Sequence, residues 1–137
     1  RPWKFFSKYG IGAVDYAGQS RLLASPDTSL WFKVSSGRHD VTVECAIMPG
    51  AYADSVPAGD RTDGVEFVMV EVQADGTTRT LATFFLNPAQ VPADRGVHRL
   101  KFDGEIIPGA GIRVETRPGP HGSYARDWAL LGPVTIR

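Results

Sequence analysis

Residues 64–86 have the sequence GVEFVMVEVQADGTTRTLATFFL, in which two β-type segments flank an Asp-Gly pair. The first segment is apolar on both faces, because Phe67 and Val68 belong to two interleaved apolar alternations. A strand covered on both sides has this pattern, which favours a position in the centre of a sheet. An Asp-Gly pair between strands predicts a two-residue turn at Asp75 and Gly76, both at positive φ. We therefore predict an antiparallel hairpin over residues 64–86.

The remainder of the chain repeats this organisation of short β-rich runs between proline and glycine signals, without helical periodicity. Further predicted strands cover residues 30–34, 40–48, 98–102, 111–116 and 127–136. Gly132-Pro133 interrupts the last run and predicts an edge or a bulge there. Residues 1–25 hold dense aromatic side chains around two glycines, which we interpret as one or two strands wrapping the sandwich. The predicted fold is all-β: one antiparallel, jelly-roll-like β-sandwich domain of about seven to nine strands over residues 1–137.

Length and charge exclude several classes of function. A chain of 137 residues suits one domain, and its 42% hydrophobic content is that of a globular protein. Fifteen basic residues balance fifteen acidic ones, so the chain lacks the basic excess that nucleic-acid binding requires. No run of 18 apolar residues is present, so we expect no membrane insertion. The sequence begins at Arg1 rather than at a methionine, and we expect a domain of a larger parent protein.

Catalytic and redox motifs are missing from the sequence. Gly-x-Ser-x-Gly, His-Glu-x-x-His, a phosphate-binding glycine loop and a dinucleotide fingerprint do not occur. The single cysteine, Cys45, can form neither an internal disulfide nor a zinc site, and its alternation with apolar neighbours predicts a buried thiol. We therefore expect a non-catalytic protein without an organic cofactor.

One loop could hold a metal ion. Asp54, Asp60 and Asp63 lie within residues 53–64, and carboxylates with loop carbonyls are the oxygen ligands that Ca²⁺ takes. The alternative is that Asp60 and Asp63 cap turns through local hydrogen bonds to the backbone, with Arg61 between them neutralising one of the two. A structural calcium is one hypothesis and turn chemistry is the other.

Loop aromatic residues are the candidates for ligand binding. Tyr52 and Tyr124 lie outside the predicted strands, where their rings could stack against the C–H faces of a sugar. Arg61, His121 and Arg126 lie in the same two loops and could bind hydroxyl or carboxylate groups. The alternative is that both tyrosine rings fold over the edge of the sandwich. We predict that Trp128, in contrast, is a core residue, and that the neighbouring Asp127 accepts hydrogen bonds from backbone donors of a nearby loop.

Three segments carry a resemblance to a known family, and it spans about residues 30–137. They are 62–67 (TDGVEF) with the following hairpin, 92–96 (PADRG), and 118–120 (PGP) leading to 125–129 (ARDWA). In this order they resemble the jelly-roll carbohydrate-binding modules found beside bacterial glycoside hydrolases and on envelope glycosyltransferases. Residues 130–133 (LLGP) depart from the acidic residue usual in that family after Asp-Trp-Ala. The resemblance implies a jelly-roll fold and a glycan ligand.

Three functions follow as expectations. The first is a non-catalytic carbohydrate-binding or accessory module of a secreted or cell-envelope protein, located outside the cell, in the periplasm or at the envelope. The second is a structural or interaction module that packs against its parent enzyme or a partner protein. The third is a jelly-roll enzyme. Exposed loop aromatics around a groove favour the first, and an apolar patch without a groove favours the second.

Overall fold

The protein is a β-sandwich of two five-stranded antiparallel sheets, which confirms the predicted fold class. The computed structural model describes all 137 residues. In chain order the strands are β1 (Lys4–Ser7), β2 (Gly12–Tyr16), β3 (Gln19–Leu23), β4 (Thr28–Lys33), β5 (Gly37–Ile47), β6 (Val65–Val72), β7 (Thr78–Leu86), β8 (His98–Ile106), β9 (Gly111–Pro118) and β10 (Ala129–Ile136). Short 3₁₀ turns at Pro49–Ala51, Ala58–Asp60 and Pro92–Asp94 interrupt the loops.

The two sheets have the strand orders β1-β4-β9-β6-β7 and β2-β3-β10-β5-β8. The chain moves back and forth between the sheets instead of completing one before the other, as in jelly rolls. The inward faces meet in one apolar core, in which the Phe67 and Phe84 rings meet edge to face at 5.6 Å. The Cys45 thiol is buried in this core, as predicted, and burial raises its pKa.

The hairpin over residues 64–86 is confirmed, with β6 in the interior of its sheet between β7 and β9. The predicted geometry of its turn is wrong. Five residues separate the paired ends of the strands, and the Gly76 N–H donates to the Gln73 carbonyl over 2.9 Å. Only Gly76 has positive φ (89°), while the Asp75 carboxylate accepts the Thr77 N–H at 2.9 Å. A β-turn followed by one left-handed glycine closes a hairpin without placing Asp75 at positive φ.

The N-terminal segment forms three strands rather than the one or two expected. Strand β1 extends the edge of one sheet by pairing with β4, and the β2–β3 hairpin extends the other sheet by pairing with β10. The predicted irregularity at Gly132-Pro133 is a bulge, since the register of β10 on β5 shifts between Leu131 and Val134. The structure contains no helix with the length and hydropathy of a transmembrane span.

Candidate functional site

Two long connections meet at one end of the sandwich. Residues 48–64 join β5 to β6, and residues 119–128 join β9 to β10. The Met48 N–H donates to the Trp128 carbonyl oxygen over 2.9 Å. The Trp128 ring lies against Gly50, where a Cβ atom would stand 3.2 Å from the ring carbon Cζ3. These contacts fix the two loops to each other.

Three aromatic side chains surround an open depression at this end. Tyr9, Tyr124, Trp128 and Ser25 line a space of about 390 Å³, which we call the aromatic depression. The Tyr9 and Tyr124 rings lie 6.0 Å apart, centroid to centroid, at 64° to each other. Tyr9 is 61% exposed and Trp128 is 36% exposed, so ring surface remains open to solvent. Exposed rings at different angles form a concave apolar surface that a small ligand can enter.

Cationic groups and one carboxylate border the aromatic depression. The Lys8 Nζ lies 4.3 Å from the centroid of the Tyr124 ring, and the Arg126 guanidinium lies 5.4 Å from that of Trp128. The Tyr124 Oη donates to the Asp27 Oδ2 over 3.0 Å, and this hydrogen bond raises the pKa of the Tyr124 phenol. The phenol is therefore a fixed, neutral donor, while the two cations lie at the rim.

Four of the five residues predicted to bind a ligand lie at two separate depressions. Tyr124 lines the aromatic depression, and Arg126 contacts the Trp128 ring at its rim. Arg61 and His121 line a second depression of about 320 Å³. The Arg61 guanidinium is engaged within its own loop, because it donates to the carbonyl oxygens of residues 56 and 54 over 2.9 and 3.2 Å. Through these hydrogen bonds Arg61 holds the 48–64 loop in its conformation.

Tyr52 lies at neither depression. Its ring is half-buried against the core, and the Arg95 guanidinium lies 5.2 Å from the ring centroid. Burial raises the pKa of the Tyr52 phenol. Tyr52 therefore matches the alternative interpretation, a ring folded over the edge of the sandwich.

The prediction that Trp128 belongs to the core is wrong. β10 begins only at Ala129, so Trp128 precedes the buried first residues of that strand and its ring projects over Gly50. Asp127 is buried at 1% exposure, but its partner is a side chain rather than a backbone donor. The Thr62 hydroxyl donates to the Asp127 Oδ1 over 2.6 Å and accepts the Gly64 N–H over 3.1 Å.

The three aspartates predicted as metal ligands do not come together. Asp54 and Asp60 are exposed at the surface of their loop, whereas Asp63 points its carboxylate inward. Both carboxylate oxygens of Asp63 and the Oδ2 of Asp127 are buried, and no N–H or hydroxyl group donates to them. The two carboxyl groups contact each other, and burial together with this contact raises the pKa of Asp127 to about 7, so that a proton on Asp127 is donated to Asp63. No three acidic, histidine or cysteine side chains converge on one point, so a metal here needs neutral oxygen ligands as well.

The histidines are distributed over separate elements. His39 is on β5, His98 is on β8 and His121 is in the 119–128 loop. The His39 ring contacts the Ser35 hydroxyl at 3.3 Å, but its two nitrogens lie 2.8 and 3.0 Å from the carbonyl oxygens of Ser35 and Arg137. A ring held between two carbonyls connects chain segments and has no carboxylate to orient it as a base.

The sequence argument missed Tyr9 and Trp128, which line the aromatic depression, and Lys8 at its rim. Tyr9 and Lys8 follow β1 in a segment without clear periodicity, and Trp128 was assigned to the core. The available signal was composition, because Trp128 follows a loop segment rich in glycine and charged residues.

No protein-family model matches the chain, and no curated protein matches it either. Function therefore has to be inferred from the residues of the site.

Proposed function

We propose that this domain is a non-catalytic glycan-binding module and that the aromatic depression is its binding surface. The observation that supports this is the arrangement of Tyr9, Tyr124 and Trp128 around an open space, with cations at its rim. Sugars present apolar C–H faces that stack on aromatic rings, and their hydroxyls need a few directed polar groups. Here Tyr124 and Trp128 supply ring faces, while Lys8 and Arg126 supply donors.

The rim favours an acidic sugar over a neutral one. Lys8 and Arg126 rest on exposed rings in the free protein, where a cation–π contact contributes only about 0.5–1 kcal/mol. A ligand carboxylate can therefore draw both cations from the rings at little cost. The planar guanidinium of Arg126 suits a carboxylate because it can donate two parallel hydrogen bonds. A glycan containing uronic acid is the ligand class that this chemistry fits.

The depression is held in place before any ligand arrives. Asp27 accepts the Tyr124 phenol through its side chain and the Lys8 N–H through its carbonyl, at 3.0 Å each. Met48 holds the Trp128 carbonyl from the opposite loop. A preformed site lowers the ordering cost of binding, which matters for ligands as weakly apolar as sugars. As part of the same proposal, we place the module in a secreted or cell-envelope protein, where glycans of this kind are displayed.

Binding experiments test the proposal with the chain as it stands. Isothermal titration with uronic-acid oligosaccharides should show binding, with weaker binding of neutral oligosaccharides of the same length. Trp128→Ala and Tyr9→Ala should each lower the affinity by about tenfold or more, a loss of about 1.4 kcal/mol. Trp3→Ala is the matched control, because Trp3 is an exposed aromatic residue that does not line the aromatic depression.

Two outcomes would reject the proposal. One is retention of full affinity by folded Trp128→Ala and Tyr9→Ala proteins, which would move the site elsewhere. The other is a parent domain that binds neither acidic nor neutral oligosaccharides.

A second candidate function has its own observation. Phe5 and Phe6 on the edge strand β1 are 63% and 56% exposed, so apolar surface lies at an open sheet edge. Such a surface is typical of contact with another domain or protein. If the domain binds no glycan, Phe5→Ser with Phe6→Ser should abolish its association with the rest of the parent protein in a pull-down of separately expressed domains. The Trp128→Ala protein should still associate.

A further inference from the structure

The four most exposed large apolar side chains of the protein all lie within residues 1–9. Phe5 is 63% exposed and Tyr9 is 61% exposed, while Trp3 and Phe6 are both 56% exposed. Exposed apolar side chains that cluster in this way mark a contact surface, whereas scattered ones need no explanation. We call residues 1–9 the aromatic edge.

The aromatic edge is the open side of a sheet. Strand β1 pairs only with β4, so its other side has no neighbouring strand. Phe5 lies opposite Leu30 and Phe6 lies opposite Ser29, so the two phenyl rings point to opposite faces of the sheet. Leu30 is buried, whereas Phe5 on the same face is open to solvent, so the second sheet does not cover β1 there. Rings on both faces therefore flank one open edge.

The charge of the aromatic edge is positive only. Its charged side chains are those of Arg1, Lys4 and Lys8, and Lys33 on β4 adds a fourth cation whose Nζ lies 5.4 Å from the centroid of the Trp3 ring. None of the four takes part in an ion pair. The net charge of zero for the whole chain therefore conceals a local excess of positive charge.

Cations and rings occupy the same part of this surface. The Lys4 Nζ lies 4.6 Å from the centroid of the Trp31 ring and 5.9 Å from that of the Trp3 ring. The two indole rings and Lys33 line a depression of about 330 Å³. Ammonium groups and ring faces are thus presented side by side. A partner that matches this surface has to offer negative charge and apolar contact at the same place.

The surface of an anionic lipid bilayer has that chemistry. Tryptophan and tyrosine rings favour the headgroup level of a bilayer, and lysines near the surface are attracted by anionic lipids. The unpaired N–H and C=O groups of an open sheet edge cannot enter the hydrocarbon interior, so β1 can lie only among the headgroups. A protein partner would need acidic side chains spaced to match these cations, whereas a lipid layer supplies negative charge at any position.

We propose that the aromatic edge docks the domain on an anionic lipid surface without inserting into it. The rings of Trp3, Phe5 and Phe6 lie among the headgroups. The ammonium groups of Lys4 and Lys33 bind the lipid phosphates. Docking through a few exposed cations and rings is reversible and weakens as ionic strength rises. The proposal does not rest on a glycan ligand in the aromatic depression.

Co-sedimentation of the full chain with large unilamellar vesicles measures this docking. In about 50 mM NaCl, vesicles of phosphatidylcholine with about 30% phosphatidylglycerol should bind the chain at least about tenfold more tightly than vesicles of phosphatidylcholine alone. Raising NaCl to about 0.5 M should lower the affinity for the anionic vesicles by about tenfold, because salt screens the exposed lysines.

The contribution of charge is tested by removing two cations. Lys4→Gln with Lys33→Gln should lower the affinity for the anionic vesicles by about 20-fold. Lys101→Gln is the matched control, because Lys101 is the one lysine of the chain away from the aromatic edge, exposed on β8 of the other sheet. It should bind the vesicles like the parent. Lys8 is left unchanged, because it also borders the aromatic depression.

The contribution of the rings is tested in the same way. Phe5→Ser with Phe6→Ser should lower the affinity for the anionic vesicles by about tenfold or more. Phe85→Ser is the matched control, because Phe85 is 40% exposed on β7 at the opposite edge of the same sheet. It should bind the vesicles like the parent. Thermal melting checks that each variant is folded, and if one double variant does not fold, the other decides.

Three results would overturn the proposal. The first is a parent chain that does not bind the anionic vesicles at low salt. The second is equal binding to neutral and anionic vesicles, and the third is full affinity in folded double variants. If the parent chain ignores vesicles while Phe5→Ser with Phe6→Ser loses its association with the other domains of the parent protein, the aromatic edge docks on protein instead of lipid.

Discussion

Buried carboxyl groups at the two ends of strand β6 have different partners. Near its C-terminal end the Glu71 side chain is 0% exposed, and the Arg79 guanidinium donates to its two oxygens over 3.1 and 3.0 Å. The Ile107 N–H adds a third bond at 3.3 Å, and these donors, Arg79 foremost, lower the pKa of Glu71. Before its N-terminal end, Asp63 and Asp127 have no basic partner; the Thr62 hydroxyl donates to Asp127, and the two carboxyl groups contact each other.

The difference follows from the residues that the neighbouring strands place beside each carboxyl group. Glu71 lies directly opposite Arg79 in the β6–β7 ladder, and opposite charges in that position stabilise a sheet. Asp63 lies beyond the end of the ladder, beside a chain segment that contains Pro118, Gly119 and Pro120. Proline and glycine provide no charged donor. A buried acid thus needs either a basic partner or a second carboxyl group with which it shares a proton, and the two ends of β6 illustrate the two cases.

The largest effect is expected at Gly64, which lies between Asp63 and the first residue of β6. We call this end of β6 the unpaired end, because its buried carboxyl groups have no basic partner, and the end at Glu71 the paired end. Gly64 has φ of +104°, and a Cβ there would stand 2.2 Å from the Phe85 ring and 2.8 Å from the Leu86 carbonyl oxygen. The Phe85 ring is half-exposed and can move, but the carbonyl is held in the ladder. Strain and overlap together should make Gly64→Ala cost about 3 kcal/mol or more in the free energy of unfolding, measured by urea titration.

A matched control comes from the turn between β6 and β7. Gly76 also has positive φ (+89°), but a Cβ there would meet no atom within 4 Å. Gly76→Ala should therefore cost only about 1 kcal/mol, the conformational part alone. Equal losses in the two variants would show that crowding at Gly64 contributes nothing.

A smaller loss is expected when the only hydroxyl at the unpaired end is removed. Thr62 is buried, and its side chain joins the Gly64 N–H to the Asp127 carboxylate. Thr62→Val retains the shape but leaves a buried acceptor and a buried N–H without partners, at a cost of about 1–3 kcal/mol. Thr62→Ser retains the hydroxyl and should lose less than half as much. Urea titration provides the measurement, and identical values for Val and Ser would contradict the role of this hydrogen bond.

Much of the fold could be predicted because alternation is a local property of each strand. The patterns at residues 98–102 and 111–116 indicated β8 and β9 at their correct starting residues. Strand β1 gave no such signal, because Lys4, Phe5 and Phe6 are all exposed and an edge strand without a buried face has no alternation to detect. The turn of the hairpin was misjudged because Asp-Gly suits more than one turn type.

The site was harder to predict because contacts between distant residues create it. The exposure of Trp128 depends on Gly50, which arrives from a different loop. The Thr62–Asp127 hydrogen bond joins residues 65 positions apart, and it brings Asp63 beside Asp127. An aspartate that will cap a turn and one that will face a second carboxylate look the same in sequence. Composition could therefore suggest an oxygen-rich loop but could not select Asp63 from its neighbours.

The smallest effect concerns pH at the paired end. Because the pKa of Glu71 is lower in the folded protein than its ordinary value of 4.5, the folded state holds the proton less tightly than the unfolded state does. The stabilisation by Glu71 is therefore fully present above about pH 4.5 and is lost as the pH falls through the folded-state pKa. Glu71→Gln removes the charge but not the shape, so it should cost about 1–2 kcal/mol at pH 7. The difference between parent and variant should shrink towards zero as the pH falls below 4, because the protonated Glu71 then resembles the amide.

Urea titrations of the parent and of Glu71→Gln at several pH values between 3 and 7 measure this difference directly. Glu66→Gln is the control, since Glu66 is half-exposed and its oxygen lies 3.6 Å from Arg117. A surface pair of this kind contributes less than about 0.5 kcal/mol, so Glu66→Gln should follow the parent at every pH. If the cost of Glu71→Gln were the same at pH 3 as at pH 7, the charge of Glu71 would not be what stabilises this end. The contrast between the two ends of β6 would then reduce to hydrogen-bond count alone.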